Sequence, residues 1–538
     1  MRTQESHNRL FIRLFIRLLT TVLVVSPILS VTARQSDLTA VSQRIRAEAF
    51  AHSRIMDYAF YLTDVYGPRL TGSPNFRAAG EWAMRELGSL GLSNVRKEPF
   101  EDFRYGWANT RFSVVMTAPS FAPLIGAPLA WSTGAQGPVE GEPVRVDLPS
   151  QTTAGVTQFC EKYRGKLRGK ILLLNNALEL KLHTSGQSIR WSDSEIADQV
   201  AKADLQARPP APAPADQAPQ RPNMDEIQRV NKQFKSFLAD EGVVAMIGDL
   251  GNPRMNDGGA FSVEKALLQG PNSVMPELPP MIVMAAEHYN RVVRLVNKGI
   301  TVRLRLDVGV NLIDHTPDAF SVLGEIPGGG KKDEIIMVGA HLDSWAGGTG
   351  ATDNAAGCAV VMEVARILKA LGVPLDRTVR FALWGGEEQG IKGSRSYVSK
   401  HLLDIKSGTR KPEYDKFSSY YNLDEGTGRI RGVLIGDNFA VRPLVETWLA
   451  PVRDLGATAV LTRPGAGSDD ASFAQAGLSI FSFLQDPLEY RFRTLHTNMD
   501  VYDRLQKDDL MQAAIVLATL VYADANRDVP MPRPSSHR

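Results

Sequence analysis

Five short stretches of this chain end in side chains that can bind a metal ion or move a proton. They are Ala340-His341-Leu342-Asp343, Thr352-Asp353-Asn354, Gly386-Glu387-Glu388, Asn422-Leu423-Asp424-Glu425 and Leu495-His496-Thr497. Each has an ordinary explanation when taken singly. Asp353 could cap the helix that follows it, Glu387 and Glu388 could be a solvated pair, Asp424 could sit in a turn, and His496 could be bonded to backbone. The case for chemistry is that all five follow a strand or open a helix within one segment, in a chain with only nine histidines.

A mixed imidazole and carboxylate set suits zinc; calcium takes oxygen ligands, and a structural zinc site usually draws on cysteines. His341, Asp353, Glu388, Asp424 and His496 are too many for one tetrahedral ion with an open position. They suit two ions, about 3.5–4 Å apart, that share a carboxylate. Asp353, in a glycine-rich loop at a helix start, is the expected bridge. Three carboxylates and a bridging hydroxide then balance the charge of two zinc ions. Glu387 is left over beside Glu388, and neighbouring side chains at a strand end point apart. Glu387 is therefore the candidate general base, taking a proton from the metal-bound water and delivering it to a leaving amine. Asp343 is the candidate carboxylate that orients the His341 imidazole.

Those residues need elements to hold them. Glu334–Ala340 is a continuous apolar run, as expected of a strand buried on both faces. Residues 354–371 are apolar nearly all round and stop at Gly372 with Pro374 beyond, which predicts a buried helix. Thr378–Trp384, Ser418–Leu423 and Leu478–Leu484 read as further strands, and 507–526 as a last helix. Alternation of strand, loop and helix implies an α/β domain around a mostly parallel or mixed sheet, where ligands bind off the carboxyl ends of the strands.

Upstream, 38–65 has helical character. Ser73-Pro74 makes a helix start, and Phe76, Ala79, Trp82, Ala83, Leu87 and Leu90 follow at helical spacing. Residues 93–117 look extended. The middle, 118–308, changes character, with short apolar strands at 171–174, 243–247 and Met281–Met284, a helix around 286–298 and a strand at 300–306. It is interrupted by the Pro-rich stretch 207–222, with six prolines, which reads as an exposed loop. The chain thus divides into a leader over 1–33, a first domain part over 34–117, an insert over 118–308 and the metal-binding part over 309–538.

Composition narrows the class. With 538 residues, 61 Lys and Arg against 59 Asp and Glu, and two cysteines, the chain has room for a large core and no disulfide framework. No basic excess marks a nucleic-acid partner. The small positive balance sits in the leader, where Arg2, Arg9, Arg13 and Arg17 precede the apolar run Leu18–Leu29 and Val31-Thr32-Ala33. That is the pattern of a cleavable export signal, so the expected location is secreted or periplasmic, with no membrane span after cleavage. Residues 1–33 hold four arginines and one glutamate, so the remainder carries one net negative charge out of an overall +2. Cys160 and Cys358 fall in different modules and read as two unpaired thiols.

AHLDSW (340–345), GATDNAAG (350–357), LWGGEEQG (383–390), NLDEG (422–426) and LHTNMD (495–500) resemble the motifs of the co-catalytic zinc exopeptidases, the family of secreted bacterial leucyl aminopeptidases and of carboxypeptidase Q. With residues 69–92, the resemblance covers most of 34–117 and 310–530. It implies a three-layer α/β/α sandwich around a mixed, mostly parallel sheet. It also implies two zinc ions per chain, held by His341, Asp353, Glu388, Asp424 and His496, with Glu387 as base and Asp343 as the acid behind the ligands. Peptide or dipeptide substrates cut at a chain end are implied, and a homodimer is compatible with it. The middle stretches RGKILLLNN (168–176), GVVAMIGD (242–249) and 278–299 resemble a β-rich protease-associated domain. One departure stands out: the family's Ser-Asp-His is here Ser468-Asp469-Asp470, outside the metal set and bearing on the substrate pocket.

The resemblance thus favours an aminopeptidase or dipeptidase. It leaves carboxypeptidase-type specificity, a single-zinc glutaminyl cyclase, and a metal-free receptor or scaffold on the same fold as alternatives. The complete ligand set and base argue against the last two. A serine hydrolase would need G-x-S-x-G after a strand, and GAGSDD at 465–470 does not match it.

Overall fold

Along Lys331–His341, Ile335 and Met337 face one way and Ile336, Val338 and Ala340 the other, and all five are buried. A strand apolar on both sides has to be covered on both sides. In the computed structural model, which describes residues 37–206, 224–248, 257–267, 269–465 and 467–534, it lies inside an eight-stranded sheet. From edge to edge the strands are Ser93–Pro99, Phe320–Ile326, Arg377–Trp384, Lys331–His341, Phe417–Asn422, Ser479–Gln485, Ile430–Leu434 and Ala459–Leu461. The third to sixth of these run parallel. Antiparallel pairings join them to the flanking strands.

Helices Ala356–Leu371 and Lys507–Ala525, with those at 37–52, Ile55–Phe60 and Pro74–Ser89, bury one face of the sheet. Tyr397, Leu402 and Phe473, carried by shorter helical segments, bury the other. This is the three-layer α/β/α arrangement around a mixed sheet. The helix limits follow the expected signals. Ser73 Oγ accepts from the Phe76 amide at 3.1 Å with Pro74 in the first turn. Gly372 closes Ala356–Leu371 in a left-handed conformation, φ 55°.

A second eight-stranded sheet is built in the middle of the chain, in the order Ala122–Leu124, Tyr105–Ala118, Arg303–Asp314, Val139–Arg145, Lys170–Leu173, Ala245–Ile247, Met281–Met284 and Gly126–Pro128. Tyr105–Ala118 pairs along its length with Arg303–Asp314. The sheet therefore reaches out to residues 105 and 314, beyond the expected limits of 118 and 308. The reason is physical: an extended stretch on either side of a boundary carries no mark of which sheet it will join. Two helices, Asp193–Gln206 and Met224–Glu241, flank the Pro-rich stretch 207–222, in stretches for which the sequence named no element. The Pro-rich stretch 207–222 and the leader 1–33 lie outside the described residues.

The two modules touch at several places. Arg190 meets Asp486 at 3.1 Å and Asp509 at 2.8 Å, and Ile189 bridges to Leu488. Cys160 and Cys358 are both free and buried. Among the described residues no helix is long and apolar enough to cross a membrane.

Candidate metal centre

Four parallel strands put four carboxyl ends on one edge of the sheet. His341 is the last residue of its strand, Glu387 and Glu388 follow Arg377–Trp384, and Asp424 follows Phe417–Asn422. Asp353 arrives from the turn that opens helix Ala356–Leu371. That turn begins at Gly350, φ 68°, where a Cβ would come within 2.3 Å of the Ser344 Cβ, so only glycine fits. His496 follows the helical turn Tyr490–Thr494 and itself adopts φ 55°.

Their side chains form two trios. His341, Glu387 and Asp424 each offer a ligand atom, all within 4.8 Å of one another, and Asp353, Glu388 and His496 do the same. Asp353 joins them: its Oδ1 lies 3.1 Å from His341 Nε2 and its Oδ2 lies 3.3 Å from His496 Nε2. His341 Nε2 is also 3.2 Å from Asp424 Oδ1, and His496 Nε2 is 3.0 Å from Glu388 Oε2. Each Nε2 thus faces two carboxylates, although a neutral or charged imidazole nitrogen has one proton at most to give. Glu388 Oε1 is buried and has no hydrogen-bond partner.

The proton affinities reflect this crowding. Burial works against a charged His341, yet the Asp424 charge and hydrogen bonds to Asp353 and Asp424 hold its pKa well above the ordinary histidine value. His496 is raised against burial in the same way, chiefly by Glu388. Burial would raise Asp353, but hydrogen bonds from both histidines outweigh it and lower its pKa. Glu388 is pushed up to about 7 and Glu387 well above the carboxylate range, burial being the main cause in both. Burial also raises Asp469, just behind the cluster, to about 8. A cation bound here would displace the protons that these groups hold.

Asp343 does a different job from the one expected. His341 Nδ1 is 2.9 Å from the main-chain carbonyl of Asp343 and 3.8 Å from its carboxylate. The carboxylate instead accepts from the backbone amides of Glu387 at 3.2 Å and Glu388 at 3.3 Å. It fixes the turn that carries the two glutamates.

Three supporting residues escaped the sequence reading. Arg69, fully buried, donates to the carbonyls of Leu342, Leu62, Thr349 and Gly350 at 2.6–2.9 Å and so ties the loop after His341 to the turn before Asp353. Asp500 accepts from the Thr352 amide at 2.6 Å and the Asp353 amide at 3.1 Å. Glu264, in the second module, lies 3.0 Å from His496 Nδ1. Arg69 and Asp500 both sit inside stretches that carry the resemblance and could have been singled out; Glu264 carries no local signal. The cluster floors an open cavity of about 470 Å³ that Ile391, Arg395, Ser468, Tyr490 and Arg491 also line. A larger cleft of about 770 Å³ beside Tyr414 and Arg533 lacks any such group of ligands.

Comparisons with known proteins agree on the kind of molecule. Residues 321–521 match peptidase family M28. Human carboxypeptidase Q is 26% identical over 490 residues, 90% of this chain and 88% of that protein. A solved peptidase M28 precursor from Shewanella amazonensis shares the fold with a TM-score of 0.63 and 24% identity, over 93% of this chain and 100% of the other. A zinc aminopeptidase from Bacillus subtilis does so with a TM-score of 0.52 and 18% identity, over 88% of this chain and 95% of the other.

Proposed function

We propose that this chain, whose residues 321–521 match peptidase family M28, is an exported di-zinc exopeptidase acting on free peptide ends as an aminopeptidase or dipeptidase. The observation that carries the proposal is Asp353 standing between the two trios with one oxygen toward each histidine. The buried, unpartnered Glu388 Oε1 supports it, since an orphaned carboxylate oxygen in a dry cluster is costly without a cation. By donor chemistry the cluster fits zinc.

In this reading His341, Asp424 and Asp353 hold one ion, and His496, Glu388 and Asp353 the other. Two zinc ions there would polarise a scissile carbonyl and lower the pKa of water. The chain's own residues do the rest. Glu387 is half-buried at the cluster's edge, and desolvation raises its carboxyl well above the usual carboxylate range. It takes the proton of the attacking water and passes it to the leaving amine. Asp343 keeps Glu387 in place through the backbone of its turn. The second module, which spans roughly 105–314 by its strand pairing, is proposed to be a protease-associated domain. Human carboxypeptidase Q and the bacterial zinc aminopeptidase bear names consistent with this class of reaction.

The test uses one peptide in four forms: free, N-acetylated, C-amidated and doubly blocked. The free form is cleaved and the doubly blocked form is not. Acetylation alone stops an aminopeptidase, amidation alone a carboxypeptidase, and either block a dipeptidase. Cleavage of the doubly blocked form overturns the exopeptidase reading. Metal analysis of the same preparation should give about two zinc ions per chain, and one or none rejects the two-ion site.

A further inference from the structure

We propose that Glu264, contributed by the second module, is a positioning residue for His496, so that the inserted module completes the metal centre of the first. The inference rests on the reading of His496 as a metal ligand. An imidazole that gives Nε2 to an ion carries its proton on Nδ1, and that N–H needs an acceptor to hold the ring's orientation and tautomer. For His341 the acceptor is the carbonyl of Asp343, two residues along its own loop. For His496 it is the Glu264 carboxylate at 3.0 Å, 232 positions away in the chain.

A single contact to a half-exposed glutamate would be weak evidence, because surface ion pairs contribute little. Here the backbone sets the register. The Val263 amide donates to the His496 carbonyl at 2.9 Å, and the Phe261 amide donates to Asn498 Oδ1 at 2.8 Å. Asn498 Nδ2 returns a hydrogen bond to the Gly259 carbonyl at 3.0 Å, and Ser262 bridges to Thr497. On the other side Val263 packs so closely on the loop after His341 that a Cβ on Gly347 would lie 2.0 Å from it. Segment 259–264 is therefore strapped across the His496 loop, and its register delivers Glu264 to Nδ1. Trp345, from the loop after His341, stands edge-on to the same imidazole with centroids 6.0 Å apart. A charged acceptor makes His496 a more basic ligand than His341, whose acceptor is a neutral carbonyl.

The experiment measures zinc retention by the full-length mature protein against a graded chelator, for the wild type and for Glu264→Gln, Glu264→Asp and His496→Ala. The melting temperature of each metal-free protein is recorded alongside. Glu264→Gln should weaken one of the two ions by about 10–100-fold and leave the other unchanged, with the metal-free melting temperature unaltered. Glu264→Asp should recover part of that affinity. His496→Ala should lose the same ion outright. If Glu264→Gln holds both ions as tightly as wild type while His496→Ala loses one, the inference is overturned and the ligand reading survives. If Glu264→Gln weakens both ions equally, or only together with a lower metal-free melting temperature, Glu264 is merely structural and the inference fails. If His496→Ala keeps both ions, the ligand reading itself falls and takes the inference with it.

Discussion

Both sheets of this protein contain a run of four parallel strands, and among the described residues only the first gathers candidate metal trios. In the first, Arg377–Trp384, Lys331–His341, Phe417–Asn422 and Ser479–Gln485 end on one edge. In the second, Val139–Arg145, Lys170–Leu173, Ala245–Ile247 and Met281–Met284 do the same. After the first set come His341, Glu387, Glu388 and Asp424. After the second come Asp147, Asn175, Gly248 and Ala285. Asp147 is answered by Arg145 and Lys162, and the Asn175 amide by the Tyr289 hydroxyl. Among the described residues, both candidate metal trios lie in the first module. Parallel topology supplies a place where side chains converge, and the residues at the strand ends decide whether anything happens there.

That contrast can be broken most sharply at the base. Glu387→Gln should lower turnover by about 10²–10⁴-fold with both zinc ions retained, as read by steady-state kinetics and metal analysis on one sample. Activity near wild type would leave the first edge with ligands but no assigned proton carrier. A smaller effect is expected one layer back. Arg69→Ala leaves buried carbonyls at Leu342, Leu62, Thr349 and Gly350 without their donor. It should cost at least about 3 kcal/mol of stability in denaturant unfolding, since each unsatisfied buried group costs about 1–3 kcal/mol. An unchanged midpoint would show that these loops hold the ligands without their guanidinium staple. The smallest effect belongs to the second edge. Asp147→Asn removes an exposed ion pair and should change neither turnover nor zinc content. A loss of activity there would mean that the second parallel edge takes part after all.

The parts of the site that could be read ahead of the structure are marked in more than one way. His341, Glu387, Glu388 and Asp424 end or follow strands that are plain apolar runs, and Asp353 precedes a plainly apolar helix, whereas His496 follows only a short turn and is marked by its motif alone. Met281–Met284 is legible as an unbroken apolar run and the helix stop at Gly372 as a glycine before Pro374. Ile430–Leu434 carries no such mark because Arg431 and Gly432 interrupt it, and Ala459–Leu461 is only three residues long. Asp343 is visible in its motif, but its carboxylate meets the amides of Glu387 and Glu388, partners set by loop paths that spacing along the chain does not encode.

What the sequence determined by itself is the inventory and its order. It contains two imidazoles, four carboxylates for ligands and base, and elements that must bury both faces of a sheet. These are local properties, written in residue type and period. The tertiary structure decided which groups meet across long separations. Asp353 reaches both histidines, Arg69 pins a loop some 280 residues away, and Glu264 reaches His496 from a loop of the second module. Such contacts depend on packing between modules, where a shift of one residue in register would carry the carboxylate to the other face of the strap.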